Sequence, residues 1–230
     1  MVLYNKDMAI NNKKIGRIVG ILFIIGTLAG ILSAVLTNNI LQSPNYIVEI
    51  SANKHMIALG ALLVLTMGFS LAMIPVLLYP FFKKQSEVLA LGAIVFRGVL
   101  EAVMYISIAT TWLLLLSISQ EYIAGQNLAS LQAIGMALQK TSMWSVQILA
   151  VVFSVGALMI YYLFFISKLI PRWLSLWGLV GAVLYLVTPL SFILFNQKLE
   201  VLMMPLALQE MVLAVWLIVK GLNSPTNVGN

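Results

Sequence analysis

The chain has 230 residues, 62% of them hydrophobic and 9% charged, with no cysteine and a formal net charge of +6. A soluble domain carries about 25% charged residues, so this few cannot solvate a surface, and a mean hydropathy of +1.04 points to a polytopic membrane protein. The missing cysteines exclude disulfides and thiolate metal sites, and the basic excess is explained by membrane topology, with no nucleic-acid partner implied.

Residues 1–14 are polar and hold Lys6, Lys13 and Lys14. The apolar run behind them predicts a first spanning helix over about 15–37. It exceeds the apolar region of roughly 7–15 residues in a secretory signal, and five further spans follow, so it reads as a retained helix. Gly16/Gly20 and Gly26/Gly30/Ala34 stand at four-residue spacing, which lets another helix backbone approach closely. Packing within the chain and a homo-oligomer contact through helix 1 both stay open.

The polar connection that follows contains Pro44, Glu49 and Lys54, and its Tyr46–Ile50 portion reads as an interfacial turn. A second helix is predicted over about 55–82, with Pro75 and Pro80 removing backbone donors and bending its last third. After the short Lys83-Lys84-Gln85-Ser86 turn, a third helix runs over about 87–119. At 1.5 Å per residue it is roughly 48 Å long, against a hydrocarbon core of about 30 Å, so it must tilt or protrude. In 121–142, Leu128, Leu131, Ile134 and Leu138 recur at three- and four-residue spacing, which predicts an amphipathic outer segment lying on the membrane or capping the bundle. Helices over about 143–166, 173–195 and 201–219 complete the set, with Gly221 and Pro225 as stop signals. The predicted fold is all-α: one transmembrane domain, 1–230, made of six spanning helices.

Orientation follows from the basic residues. With the N-terminus inside, the inner segments hold Lys6, Lys13, Lys14, Arg17, Lys83, Lys84, Lys168, Arg172 and Lys220, and the outer segments hold Lys54, Lys140 and Lys198. Nine against three predicts both termini in the cytoplasm. Trp173 and Trp177 then fall towards the inner interface, and Trp112 and Trp144 towards the outer one.

Three charges lie at membrane depth: Arg97, Glu101 and Glu210. Counted from Glu87 along one helix and from Glu200 along another, Arg97 and Glu210 both sit about 15 Å deep. Glu101 is one helical turn from Arg97 on nearly the same face, and Tyr105 continues that stripe outward. Gln209, Gln147 and, at the outer mouth, His55 are the polar residues placed to join a cavity open to the outside. Each buried charge costs about 2.5–3.5 kcal/mol on insertion scales, so none should face lipid. One arginine can neutralise one carboxylate; the remaining buried charge favours protonation, so Glu101 and Glu210 are expected to share a proton and titrate as a coupled pair.

Three readings of the cluster remain open. It pins helices together in an accessory or partner-binding membrane protein, it binds a small or lipidic ligand with proton coupling as in a transporter, or it serves an enzyme acting on a lipid from the outer side. The enzyme reading is narrowed by the residue inventory. Asp7 is the only aspartate and His55 the only histidine, so a paired-aspartate protease, a HExxH zinc site and a bis-histidine haem all lack residues. No GxSxG occurs. No metal or cofactor is expected.

Four stretches carry a resemblance: IGRIVGILFIIGTLAGILS (15–33), FRGVLEAV (96–103), PRWLSLWGLVGAV (171–183) and QEMVLAVWLIVKG (209–221). Together they resemble a bacterial six-helix membrane family known as a domain of unknown function, the one numbered 4386, over essentially the whole chain. That family usually continues the last motif with Phe and Asn, where this chain has Gly221-Leu222-Asn223. The resemblance implies a bacterial cytoplasmic membrane location and brings no activity with it.

Reporter fusions test the topology: a fusion within Lys83–Ser86 should report a cytoplasmic position and one near Lys140 an external one. The reverse pattern contradicts it.

Overall fold

The computed structural model describes residues 2–125 and 127–223, with 2–11 as backbone alone. The side chains of Lys6 and Asp7, and all of Pro225, lie outside the described residues. The described residues form seven helices and no strand: α1 (Val2–Leu41), α2 (Tyr46–Ala52), α3 (Lys54–Phe82), α4 (Glu87–Ile123), α5 (Leu128–Ser167), α6 (Arg172–Phe195) and α7 (Met204–Lys220), the last entered through a 3₁₀ turn, Glu200–Met203. All but α2 are long and apolar enough to cross a membrane. Large apolar side chains such as Val35, Val88, Leu194 and Phe195 are exposed on them, a surface that suits hydrocarbon and not water.

The helix ends follow local chemistry. Ser86 caps α4 by accepting the Leu89 N–H at 3.3 Å, and Glu87 follows in the first turn, where a negative charge meets the positive end of the helix dipole. Pro205 sits at the start of α7, where its missing donor costs nothing. Gly221 ends α7 at φ +76, and Asn223 then donates its N–H to Leu169 O (2.8 Å) and its side-chain amide to Lys168 O (3.1 Å).

Two predicted boundaries change, the first being the start of α1, which lies at Val2 and not near residue 15. The stretch 128–142 is not a separate amphipathic segment but the opening of a continuous 40-residue α5. Nothing between Leu138 and Met143 breaks a helix: neither proline nor glycine occurs there. The break falls earlier, between Ile123 and Leu128, where Gly125 (φ +83) and Asn127 (φ +43) take left-handed backbone. The periodic leucines are still partly used. Leu131 is buried and Leu138 packs on a hydrophobic core, whereas Leu128 and Ile134 are exposed. The Tyr46–Ile50 turn is a full short helix, α2, with Tyr46, Ile47 and Ile50 buried.

The chain falls into two compact units. One comprises residues 1–25, 70–101 and 150–230, and the other residues 26–69 and 102–149. The second unit is built on Ile50, Ile57, Ile108, Ala109, Trp112 and Leu115, with Trp112 Nε1 donating to Ser142 Oγ at 3.0 Å and the Gln139 amide capping Leu41 O at the end of α1 (2.8 Å). The first unit draws on all six spanning helices and holds the three deep charges. Its core includes Leu163, Phe164, Leu174, Leu206, Leu213 and Leu217, with Phe82 edge-on to Phe164 at 5.0 Å.

The small residues of helix 1 close against the chain itself. A Cβ on Gly16 would come within 2.6 Å of the Leu222 backbone nitrogen, and one on Gly20 within 2.6 Å of Ala214 O. Gly30 faces Met67 of α3. Arg17 adds a hydrogen bond from Nε to Ile218 O in the last turn of α7 (3.2 Å), where a cation complements the helix dipole.

Candidate functional site

Arg97 lies in a departure from regular helix. Over Ile94–Leu100, α4 widens into a π-helical turn, and the Glu101 N–H reaches back five residues to Phe96 O as well as to Gly98 O. Such turns recur at functional sites because they re-aim side chains without ending the helix. Here the turn carries Arg97 and hands on to Glu101.

The guanidinium holds two carboxylates. Arg97 Nη1 donates to both Glu101 oxygens at 3.0 Å, and Nη2 donates to Glu210 Oε1 at 2.9 Å. The first pair is local, one turn apart on α4; the second joins α4 to α7. Beneath the guanidinium lies the Phe153 ring of α5, 4.1 Å from Arg97 Cζ to the ring centroid, a desolvated cation–π contact of the kind that contributes about 2 kcal/mol. Arg97 and Glu101 are each 1% exposed, whereas the Glu210 side chain is 14% exposed. Exposure at this site therefore falls on Glu210.

Two glycines set how closely the helices approach the cluster. A Cβ on Gly156 of α5 would stand 2.9 Å from both the backbone nitrogen and Cβ of Arg97, so only glycine lets α5 bring Phe153 under the guanidinium. A Cβ on Gly178 of α6 would run into the Tyr161 ring. Tyr161 is buried, and its hydroxyl sits beside the Glu210 carboxylate and the Gln209 amide, the two groups within its hydrogen-bonding reach. Gln209 is fully buried. Its Nε2 donates to Leu174 O at 3.0 Å, while its Oε1 has no partner among the described residues. Tyr185 of α6 completes the surroundings: its ring lies 4.7 Å from that of Phe153, and its phenol is within electrostatic reach of Glu210, Arg97 and Glu101.

The other residues singled out from sequence lie in the second unit. Tyr105 is buried in that unit's core against Gly68. Glu101 is sealed and Tyr105 is a core residue. Gln147 is half-buried and His55 exposed. Tyr46, also in that unit, has its phenol pushed up by burial. Phe153, Gly156, Tyr161 and Tyr185 were not picked out by sequence reasoning. The four-residue spacing of Phe153, Ala157 and Tyr161 places two aromatics on one face, but such spacing is common in membrane helices. Among the described residues no group of three His, Cys, Asp or Glu is placed to hold a metal.

Six long apolar helices and a buried cross-helix charge cluster define a multi-pass helical membrane protein. The family described as Domain of unknown function (DUF4386) matches residues 18–221, and the chain belongs to that family. No curated protein and no solved structure matches it.

The close approach of α5 is testable. Gly156→Val should destabilise the detergent-solubilised protein by about 1–3 kcal/mol in denaturant unfolding, as overpacking against backbone does. Gly98→Ala, whose Cβ would meet Ala72 O and Pro75 Cγ at an ordinary 3.6 Å, should be neutral or stabilising, since Ala is favoured over Gly within a helix by about 1 kcal/mol.

Proposed function

We propose that this is a protein of the bacterial cytoplasmic membrane with both termini inside, and that Arg97, Glu101 and Glu210 form an intramembrane site that binds a small or lipidic ligand in exchange for a proton. The orientation rests on the nine-to-three distribution of basic residues. The functional reading rests on one observation: a single buried guanidinium serves two carboxylates, and one of the two is partly exposed.

Pinning α4 to α7 needs one ion pair. A second buried carboxylate adds a desolvation penalty that the pin does not require. Its negative charge is balanced either by a proton or by a ligand, and a group that alternates between the two is a coupling device. Glu210, as the exposed member, is where exchange takes place; Arg97 and Glu101 fix its position and set the charge it faces.

A structural reading has its own support, since Arg97 and Glu101 are sealed and the cation–π contact anchors α5 as well. Infrared difference spectra separate the two. The functional reading predicts one protonated carboxyl stretch in the wild-type protein near neutral pH, lost in both Glu210→Gln and Glu101→Gln, because either substitution leaves one carboxylate for one guanidinium. Two fully ionised carboxylates in the wild type would instead support a structural cluster.

A further inference from the structure

We infer that the end of the first unit where α7 stops is a binding surface for the headgroup of an anionic phospholipid, with its acyl chains along the exposed apolar sides of α1, α6 and α7. The residues that follow α7, Gly221-Leu222-Asn223, gather the neighbouring elements there. A Cβ on Gly221 would stand 2.6 Å from Lys13 Cα, so α1 touches the end of α7. Asn223 donates its N–H to Leu169 O (2.8 Å) and its side-chain amide to Lys168 O (3.1 Å), which ties in the turn between α5 and α6. These contacts bring six cations to one end of the unit: Lys13, Lys14 and Arg17 from α1, Lys168 and Arg172 from the turn and the start of α6, and Lys220 from α7.

All six are exposed, and none has an ion-pair partner among the described residues. The segments around them, 12–25, 165–175 and 217–223, contain no aspartate or glutamate, so their charge is not offset locally. Two of the cations are anchored. Arg17 uses only Nε, on Ile218 O at 3.2 Å, which leaves both Nη groups for an acceptor outside the chain. Arg172 Cζ lies 5.4 Å from the centre of the Phe165 ring, a contact with a ring and not with an acceptor. An anchored guanidinium fork matches phosphate oxygens in geometry as well as in charge.

The adjoining surface is apolar, which favours a lipid over a soluble anion. Ile21 on α1, Leu176 on α6 and Val219 on α7 are exposed. Trp173, next to Arg172, is exposed as well, with its ring 6.3 Å from that of Trp177, as indoles are placed at a membrane interface. Each juxtamembrane cation strengthens attachment to an anionic lipid surface about fivefold. The Lys83-Lys84 pair after α3 differs. Lys83 Nζ lies 5.5 Å from the centre of the Tyr79 ring, and Tyr79 donates its hydroxyl to Glu87 at 3.3 Å, so that turn carries its own counter-charge. None of these residues belongs to the Arg97 cluster, and the surface meets a leaflet in either orientation of the chain.

The test uses the full chain in detergent, with dioleoylphosphatidylglycerol as probe and thermal unfolding followed by tryptophan fluorescence. The wild-type protein should be stabilised in a saturable way, and less so in high salt, which screens exposed charges. Dioleoylphosphatidylcholine has the same chains and a phosphate but no net charge; inorganic phosphate has the charge but no chains. Each should bind at least about tenfold more weakly. The double variant Lys168→Gln/Lys220→Gln should weaken phosphatidylglycerol binding about 25-fold, with helicity and elution volume retained. Lys83→Gln/Lys84→Gln removes the same charge and should stay within about threefold of wild type. No saturable phosphatidylglycerol effect in folded wild-type protein, or an equal effect of phosphatidylcholine or inorganic phosphate, would overturn the assignment. Equal losses in the two double variants would overturn it too, because they would mark a diffuse basic collar and not a site at the end of α7.

Discussion

The cluster depends on one guanidinium that must satisfy two carboxylates from two helices. Arginine suits this position because its planar fork presents several donors in fixed directions. Nη1 serves Glu101 within α4, and Nη2 reaches Glu210 on α7. A lysine would offer the same charge without that division of labour. Removing one partner of a buried pair leaves an uncompensated charge and costs about 3–5 kcal/mol, so α4 and α7 are held in a fixed register by chemistry that lipid cannot replace.

Several local features serve that interaction. The π-helical turn over Ile94–Leu100 passes Arg97 and Glu101 to a common partner. Gly156 removes the one atom that would keep α5 away, and Phe153 then covers the guanidinium face that the carboxylates leave open. Gly178 admits the Tyr161 ring, which brings a phenol beside Glu210. Gln209, held by Leu174 O, adds an amide from the helix that carries Glu210. The result is a charged core wrapped in aromatic and amide groups.

Much of this was legible in the sequence. The six spans follow from apolar runs and their basic flanks, and the matched depth of Arg97 and Glu210 follows from counting residues along two helices at 1.5 Å each. The continuity of α5 was not legible, because a leucine period in 128–142 fits a surface helix and the start of a spanning helix equally well; only the left-handed backbone at Gly125 and Asn127 decides it. The surroundings of Tyr105 were not legible for a related reason. Helical spacing puts it on the same stripe as Arg97 and Glu101, but spacing does not say whether a stripe faces a cavity or a packed core, and Gly68 makes it core. Tyr161, Tyr185 and Phe153 could not be chosen from among 23 aromatic residues without knowing which helices are neighbours. The π-helical turn also leaves no mark in composition.

The most direct measurement of the central claim is a double-mutant cycle between Arg97 and Glu210, using Arg97→Met, Glu210→Gln and the double variant in denaturant unfolding of the detergent-solubilised protein. A buried ion pair linking α4 to α7 predicts a coupling energy of about 1–3 kcal/mol, with the double variant more stable than the sum of the single losses implies. Additivity to within about 0.5 kcal/mol would show that the two side chains do not interact, and would contradict the account.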